Sequence, residues 1–397
     1  MALSTIHIYS ISIYFYLFYV DDRYYISGKE IKNIIVTFLL TQLCIKLYKI
    51  IYLQLTPLII LKCTSKLVAK ILSSVSFYTV FVIKHNAFHL KIEVMKTLLM
   101  ELQYVFNKLK DEHEIAIVEK YSCIGKRFTI GLTAFAFCGL AIGTLTQFWS
   151  EILTLVVVSI NVSQPNNLLI MTEYFIDQEK YFYLILFHIH SVFCIGCYIM
   201  VAVGSMGITY FHHTCGMFTI ASYRIEHAVN LDILQNITLK DKILMTEGII
   251  NAIDIHRQAM KLCKHMLSAL ETMLFSLIVC GVLVLSLNLF QIAMIENSLV
   301  ELFFPSFFVL SSVLYMFMAN YMGQIVTDHN NHIFSTAYNV QWYRVPIHVQ
   351  RMILFLLQRE TREFALNVGG LFNASMECFA MLVKASVSYF TVIYSTR

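Results

Sequence analysis

Glu377 and Lys384 stand seven residues apart in the apolar stretch 371–395. On a helix this spacing places an acid and a base on one face, about 10 Å apart along the axis. Ionisable groups at membrane depth face a wetted cavity or a partner, so the pair points to ion handling rather than to bond-making chemistry. Thr391, Ser395 and Thr396 add hydroxyls further along the same stretch, and Val392 is an apolar position able to close a wetted passage by dewetting.

Other reactive residue types lead to no chemistry. Cys194 and Cys197 have redox-motif spacing but lie inside an apolar run with no βα context, so they read as packing residues. The pairs His85 and His89, His212 and His213, and His329 and His332 lack the repeated boxes that a membrane di-iron site needs. Asp22–Arg23–Tyr24 spells the triplet that closes the third span of G-protein-coupled receptors, yet here it precedes the first expected span. An NPxxY sequence is absent too, since the prolines are Pro57, Pro165, Pro305 and Pro346. There is no glycine-rich phosphate loop, GxSxG or HExxH. Catalysis, metal ligation and a cofactor are therefore not expected.

The elements that carry these residues follow from composition. The chain has 397 residues, 58% hydrophobic and only 14% charged, whereas soluble domains carry about 25% charged residues. A soluble enzyme and a nucleic-acid binder are excluded on that ground; the surface needs lipid as its solvent. Apolar runs near 33–59, 66–86, 128–150, 181–211, 266–292, 302–326 and 371–395 each approach the ~20 residues needed to cross a bilayer.

Charge placement orients the runs. The connections 87–127, 213–264 and 327–365 are rich in Lys and Arg, whereas 151–180 and 293–301 carry Glu151, Glu173, Asp177, Glu179, Glu296 and Glu301 against Lys180 alone. Basic connections stay cytoplasmic. The expectation is thus an all-α membrane protein with seven transmembrane helices, a cytoplasmic N-terminus, an extracellular C-terminus and a cytoplasmic helical anchor region. Asn161–Val162–Ser163 is then a glycosylation sequon in an external connection, while the sequons at Asn236 and Asn373 face inward and stay silent. The apolar run Met1–Val20 has neither a basic flank nor a small-residue cleavage site, so an interfacial or re-entrant helix is expected there, with an eighth span as the alternative.

The C-terminal third carries a resemblance. It runs Tyr338–Asn339–Val340–Gln341–Trp342–Tyr343–Arg344–Val345–Pro346, then Gln350–Arg351 and Gln358–Arg359. Gly369–Gly370–Leu371–Phe372, Ala374–Ser375–Met376–Glu377–Cys378–Phe379 and Lys384–Ala385–Ser386–Val387–Ser388–Tyr389–Phe390–Thr391–Val392 follow. These stretches resemble the C-terminal region of insect odorant receptors, above all the large ant, bee and wasp expansions. Glu173–Tyr174–Phe175–Ile176–Asp177–Gln178, Ser222–Tyr223–Arg224–Ile225–Glu226, Ser286–Leu287–Asn288–Leu289–Phe290 and Gly323–Gln324 extend the likeness over roughly 90–397. The ending from Ser388 to Ser395 favours this family over its gustatory sister family.

The resemblance implies a tuning subunit of a ligand-gated, poorly selective cation channel, assembled with a shared odorant-receptor co-receptor as a tetramer in the plasma membrane of an olfactory neuron dendrite. It implies a central pore lined by the last helix, with Val392 at the gate and Ser395, Thr396, Glu377 and Lys384 along or near it. It also implies a cytoplasmic anchor between subunits; Tyr338, Trp342 and Tyr343 beside the amphipathic stretch 347–365 are the candidate contacts. The regions are 1–32, an apolar N-terminal segment; 33–326, six spans with cytoplasmic extensions; 327–370, the anchor; and 371–397, the pore helix. A volatile ligand needs an apolar pocket with few polar groups. The candidates are Phe77, Tyr78, Phe81, Thr146, Trp149, His188, Tyr315 and Met318, between the outer ends and the midplane of spans two to six. A gustatory-type channel and a non-conducting seven-span receptor or transporter are the alternatives. Expected partners are the co-receptor, a volatile small molecule, lipid and cations, and no nucleic acid.

Overall fold

The computed structural model describes residues 45–60, 64–156, 172–177, 180–229, 238–295, 299–359 and 364–396, apart from the side chains of 65, 66, 146–156, 299 and 300. The segment 1–32, the first part of the expected first span and Asn161 lie outside the described residues.

Helix α1 covers 45–55 and buries Leu47, Ile50 and Leu53, a three-residue repeat that presents one face to the bundle. A single turn, Pro57–Ile60, follows it. Next come α2, Ser65–Leu90, and α3, Ile92–Asn107. Four long helices follow: α4, Glu112–Val156; α5, Phe182–Ala228; α6, Leu239–Met294; and α7, Leu299–Asn339. Local sequence starts several of them. Thr64 caps α2 by accepting the Leu67 amide, and Thr238 with Asp241 forms a capping box before α6.

Among the described residues, six helices are long and apolar enough to cross a membrane, within α2, α4, α5, α6, α7 and the C-terminal helix. The chain is a multi-pass membrane protein, and its described residues are helical apart from turns, connections and one very short hairpin. The runs 128–150, 181–211, 266–292 and 302–326 are the apolar portions of helices 45, 47, 56 and 41 residues long. These rods reach about 62 to 84 Å, far beyond a hydrocarbon core of about 30 Å. Their surplus turns collect at one end of the bundle, the end with the basic connections. There the Arg224 guanidinium makes two hydrogen bonds to Glu114, at 2.6 and 2.9 Å, and a third to the Asn251 carbonyl, tying α5 to α4 and α6. Tyr121 links α4 to Thr219 and His329 on α5 and α7, and His256 pairs with Asn330 between α6 and α7. The histidines at 256 and 329 are therefore engaged in helix-to-helix contacts.

After a 3-10 turn at Trp342–Arg344, α8 covers Ile347–Gln358, shorter than the expected 347–365. It rests Val349, Ile353 and Leu356 on α6 and α7. Gly369 and Gly370 do more than end a helix. Both take left-handed φ values, +66° and +72°, and turn a hairpin between β1, Asn367–Val368, and β2, Phe372–Asn373. Residues 371–375 are thus hairpin and cap rather than the start of a span. The last helix, α9, runs Met376–Ser395 with Ser375 as its N-cap, and packs on α6 and α7.

Candidate functional site

A cavity of about 260 Å³ opens among α2, α4, α5, α6, α7, the hairpin and α9. Its wall is mainly apolar, with Phe77 and Phe81 from α2, Leu270 and Leu277 from α6, and Tyr315 and Met318 from α7. The hairpin and α9 add Val368, Phe372, Cys378 and Leu382. Polar groups are few: Lys84, Ser311, Ser312, Asn320 and the phenol of Tyr315. Such a chamber, apolar with a small number of placed polar groups, has the chemistry of a small-molecule site, just below the usual size range of about 300–1,000 Å³.

Four of the sequence-derived pocket residues, Phe77, Phe81, Tyr315 and Met318, lie in this wall. Tyr78 does not. It is fully buried behind Phe77 and Phe81, edge-on to both rings. His188 stands two to three turns further out on α5, where its Nδ1 shares a 2.8 Å hydrogen bond with the Tyr174 hydroxyl. Burial pushes the Tyr174 phenol up to about 12, so it stays neutral and able to donate. Thr146 and Trp149 belong to α4, but their side chains lie outside the described residues.

The cavity therefore extends from mid-span toward the basic end rather than toward the outer end. Aromatic packing explains the shift. Phe77 stacks on Phe308 with centroids 4.1 Å apart, and Phe193 meets Phe304 and Phe307 edge-on, so among the described residues these rings close the cavity on its outer side. Lys84 is the wall residue that span-level reasoning passes over. Its signal is a lysine inside a helix that continues to Leu90.

The face of α9 turned away from the bundle is the second feature. Cys378, Leu382 and Ser386 are buried, whereas Glu377, Lys384, Ser388, Thr391 and Ser395 are exposed and fall within one stripe on the opposite side. Val392 and Thr396 are exposed at the far end, with Val392 on the flank of that stripe. The helix is tied to the bundle at both levels: Ser286 Oγ donates to the Ser386 carbonyl at 3.0 Å, and Asn320 Oδ1 accepts the Ser375 amide at 3.3 Å. Gln324 Oε1 accepts the Met376 amide one turn further along α7. Asn288, in the same motif as Ser286, accepts a 2.8 Å hydrogen bond from Ser73 and joins α6 to α2.

A sequence profile of the 7tm odorant receptor family matches residues 66–387, from the start of α2 to just past the middle of α9. The chain belongs to the 7tm odorant receptor family. Two Drosophila melanogaster relatives show the distance within it. Odorant receptor 33b is 23% identical over 154 residues, 39% of this chain and 41% of the relative. Odorant receptor 9a is 22% identical over 193 residues, 49% of this chain and 46% of the relative. The match thus spans less than half the length of these curated relatives. The insect olfactory receptor OR5 from Machilis hrabei, solved in complex with eugenol, has the same fold at 11% identity. Its TM-score is 0.74, over 95% of this chain and 92% of that one. A second structure of OR5 gives 0.72 at 12% identity, over 90% and 88% of the two chains. This odorant receptor is therefore a member of a receptor family, not an enzyme family.

Around the expected anchor, the odorant receptor exposes Tyr338 and Tyr343, while Trp342 is half-buried against the core with its ring edge-on to Tyr343. Asn373 lies in β2, where its side chain accepts a hydrogen bond from Asn367.

Proposed function

We propose that this receptor is the odorant-tuning subunit of a ligand-gated, poorly selective cation channel. In this reading a volatile small molecule occupies the cavity, and α9 lines a pore formed with the shared co-receptor in a heterotetramer. The observation that carries the reading is that both features share one helix. Cys378 and Leu382 belong to the cavity wall, and the polar stripe of Glu377, Lys384, Ser388, Thr391 and Ser395 faces away from them. A helix whose polar face is left exposed by the described residues is suited to a shared aqueous path. A ligand that prefers one setting of α9 over another shifts the open–closed equilibrium by its difference in affinity for the two states.

The charge pattern supports the orientation. The basic helix extensions lie on the cytoplasmic side of the plasma membrane, and exposed Glu301 and Asp177 at the other end raise the local cation concentration. Exposed Tyr338 and Tyr343 suit contacts between subunits at the anchor. Co-expression with the odorant-receptor co-receptor under voltage clamp, against a panel of volatiles, tests the assignment. Odorant-evoked cation current is expected; well-folded surface protein giving no current with any volatile argues for a non-conducting receptor.

A further inference from the structure

Lys84 is 2% exposed, and it lines the cavity rather than reaching for the membrane surface. Its Nζ lies 4.4 Å from the centroid of the Tyr315 ring, and a Cβ added at Gly204 would stand 3.9 Å from it. The cavity wall contains no aspartate or glutamate, and Lys84 makes no ion pair among the described residues. A desolvated cation–π contact returns about 2 kcal/mol, whereas burying an ammonium costs several kcal/mol. An ammonium left with that deficit sheds its proton, so the cavity holds a desolvated amine ready to take a proton from a ligand.

We propose that Lys84 makes the cavity selective for small carboxylic acids: the ligand's carboxylate meets Lys84 Nζ, and its hydrocarbon body lies against Phe77, Phe81, Leu277 and Met318. The proposal rests on the reading of the cavity as the ligand site. Three considerations single out acids. The cavity of about 260 Å³ holds a compact ligand, and almost all of its wall is apolar, so the ligand is small with one polar end. That end must accept hydrogen bonds, because Lys84, once protonated, only donates, and an ionised acceptor bonds about twice as strongly as a neutral one. Folding has already desolvated the amine, so an acid that hands its proton to Lys84 gives up only its own hydration as the two charges form side by side in a low-dielectric space. Ser311, one turn before Tyr315 on the same face of α7, has a buried hydroxyl with no hydrogen-bond partner among the described residues and lines the same cavity. It is a second donor for the other carboxylate oxygen. An amine of equal size cannot form an opposite-charge pair with Lys84 and gains nothing from it.

The test is equilibrium binding to the full-length receptor in lipid nanodiscs, corrected against empty nanodiscs. The probes are hexanoic acid, hexanol and hexylamine, with benzoic acid, benzyl alcohol and benzylamine as an aromatic set. Wild-type receptor should prefer at least one acid over its matched alcohol by about tenfold or more, the gap of one charge-assisted hydrogen bond. K84M should collapse that preference toward unity. G204D, whose Cβ would stand in ordinary contact with Lys84 Nζ, supplies an internal carboxylate for it, should collapse the preference too and guards against a K84M that fails to fold. An acid preference that survives in both folded variants overturns the proposal, as does a wild-type receptor that binds neither acid better than its alcohol. G207F separates the two readings, because space around Gly207 is open and its side chain would fill the cavity. If G207F abolishes binding while K84M keeps the acid preference, the cavity stands as the site and the role of Lys84 fails. If G207F leaves acid binding intact, the cavity is not the site and both fail.

Discussion

Asn320 Oδ1 accepts the backbone amide of Ser375 at 3.3 Å, so one side chain both lines the cavity and holds the N-cap of α9. Its Nδ2 donates to the Met316 carbonyl at 2.9 Å, which fixes the amide against α7. Close by, a Cβ at Gly323 would collide with the Ala374 backbone, so α7 and the residue before the cap are in direct contact. The start of α9 is clamped to the same helix that supplies Tyr315 and Met318 to the cavity.

Replacing Asn320 with Ala removes that clamp and leaves the Ser375 amide without its acceptor. A loss of about 1 kcal/mol in local stability is expected. Dose–response curves normalised to surface expression should show a lower maximal odorant current.

Phe308→Ala removes a ring that is 3% exposed and stacked on Phe77. Large-to-small changes of this kind cost about 3–5 kcal/mol when the site does not collapse. The thermal midpoint of purified receptor should fall, and the enlarged cavity should admit bulkier volatiles that the wild type ignores.

Arg224→Ala strands Glu114, whose side chain is 7% exposed. Breaking one side of a buried ion pair costs roughly 3–5 kcal/mol, more than replacing both partners by uncharged residues. In thermal unfolding of solubilised receptor, R224A should therefore be less stable than the double variant R224M with E114Q.

Val392→Ala shortens an apolar side chain at the far end of α9, where a closed gate by dewetting is expected. Basal current in the absence of odorant should rise, or permeability ratios should shift. Identical basal current and selectivity at equal surface expression would remove the gate from this position.

Hydropathy and charge made most of the bundle legible, because lipid contact demands long apolar runs and basic connections mark one side. The length of α4 to α7 was not legible in the same way. Their surplus turns carry Arg224, Glu114 and His256, which read as loop-like polar sequence until the interhelical contacts are seen. The hairpin at 367–373 was hidden because Gly369–Gly370 signals an interruption without saying which kind. Half of the expected pocket residues, Phe77, Phe81, Tyr315 and Met318, lie in the cavity wall, but most of the wall and its depth did not follow, since nothing in the sequence says which side chains face one another. Lys84 lies near the inner end of the apolar run 66–86, where a lysine is expected to extend to the interface. Only the neighbouring helices turn it inward.

The most direct measurement is thiol modification of cysteine variants during odorant-evoked current, with a charged reagent applied to receptor co-expressed with the proposed odorant-receptor co-receptor. Ser388→Cys and Thr391→Cys put a thiol on the exposed stripe of α9, and Leu382→Cys puts one on its buried face. The account predicts that reagent alters the current through S388C and T391C, faster when odorant is present, and leaves L382C and the wild type unchanged. Unaltered current in S388C and T391C, or equal modification of L382C, would contradict it.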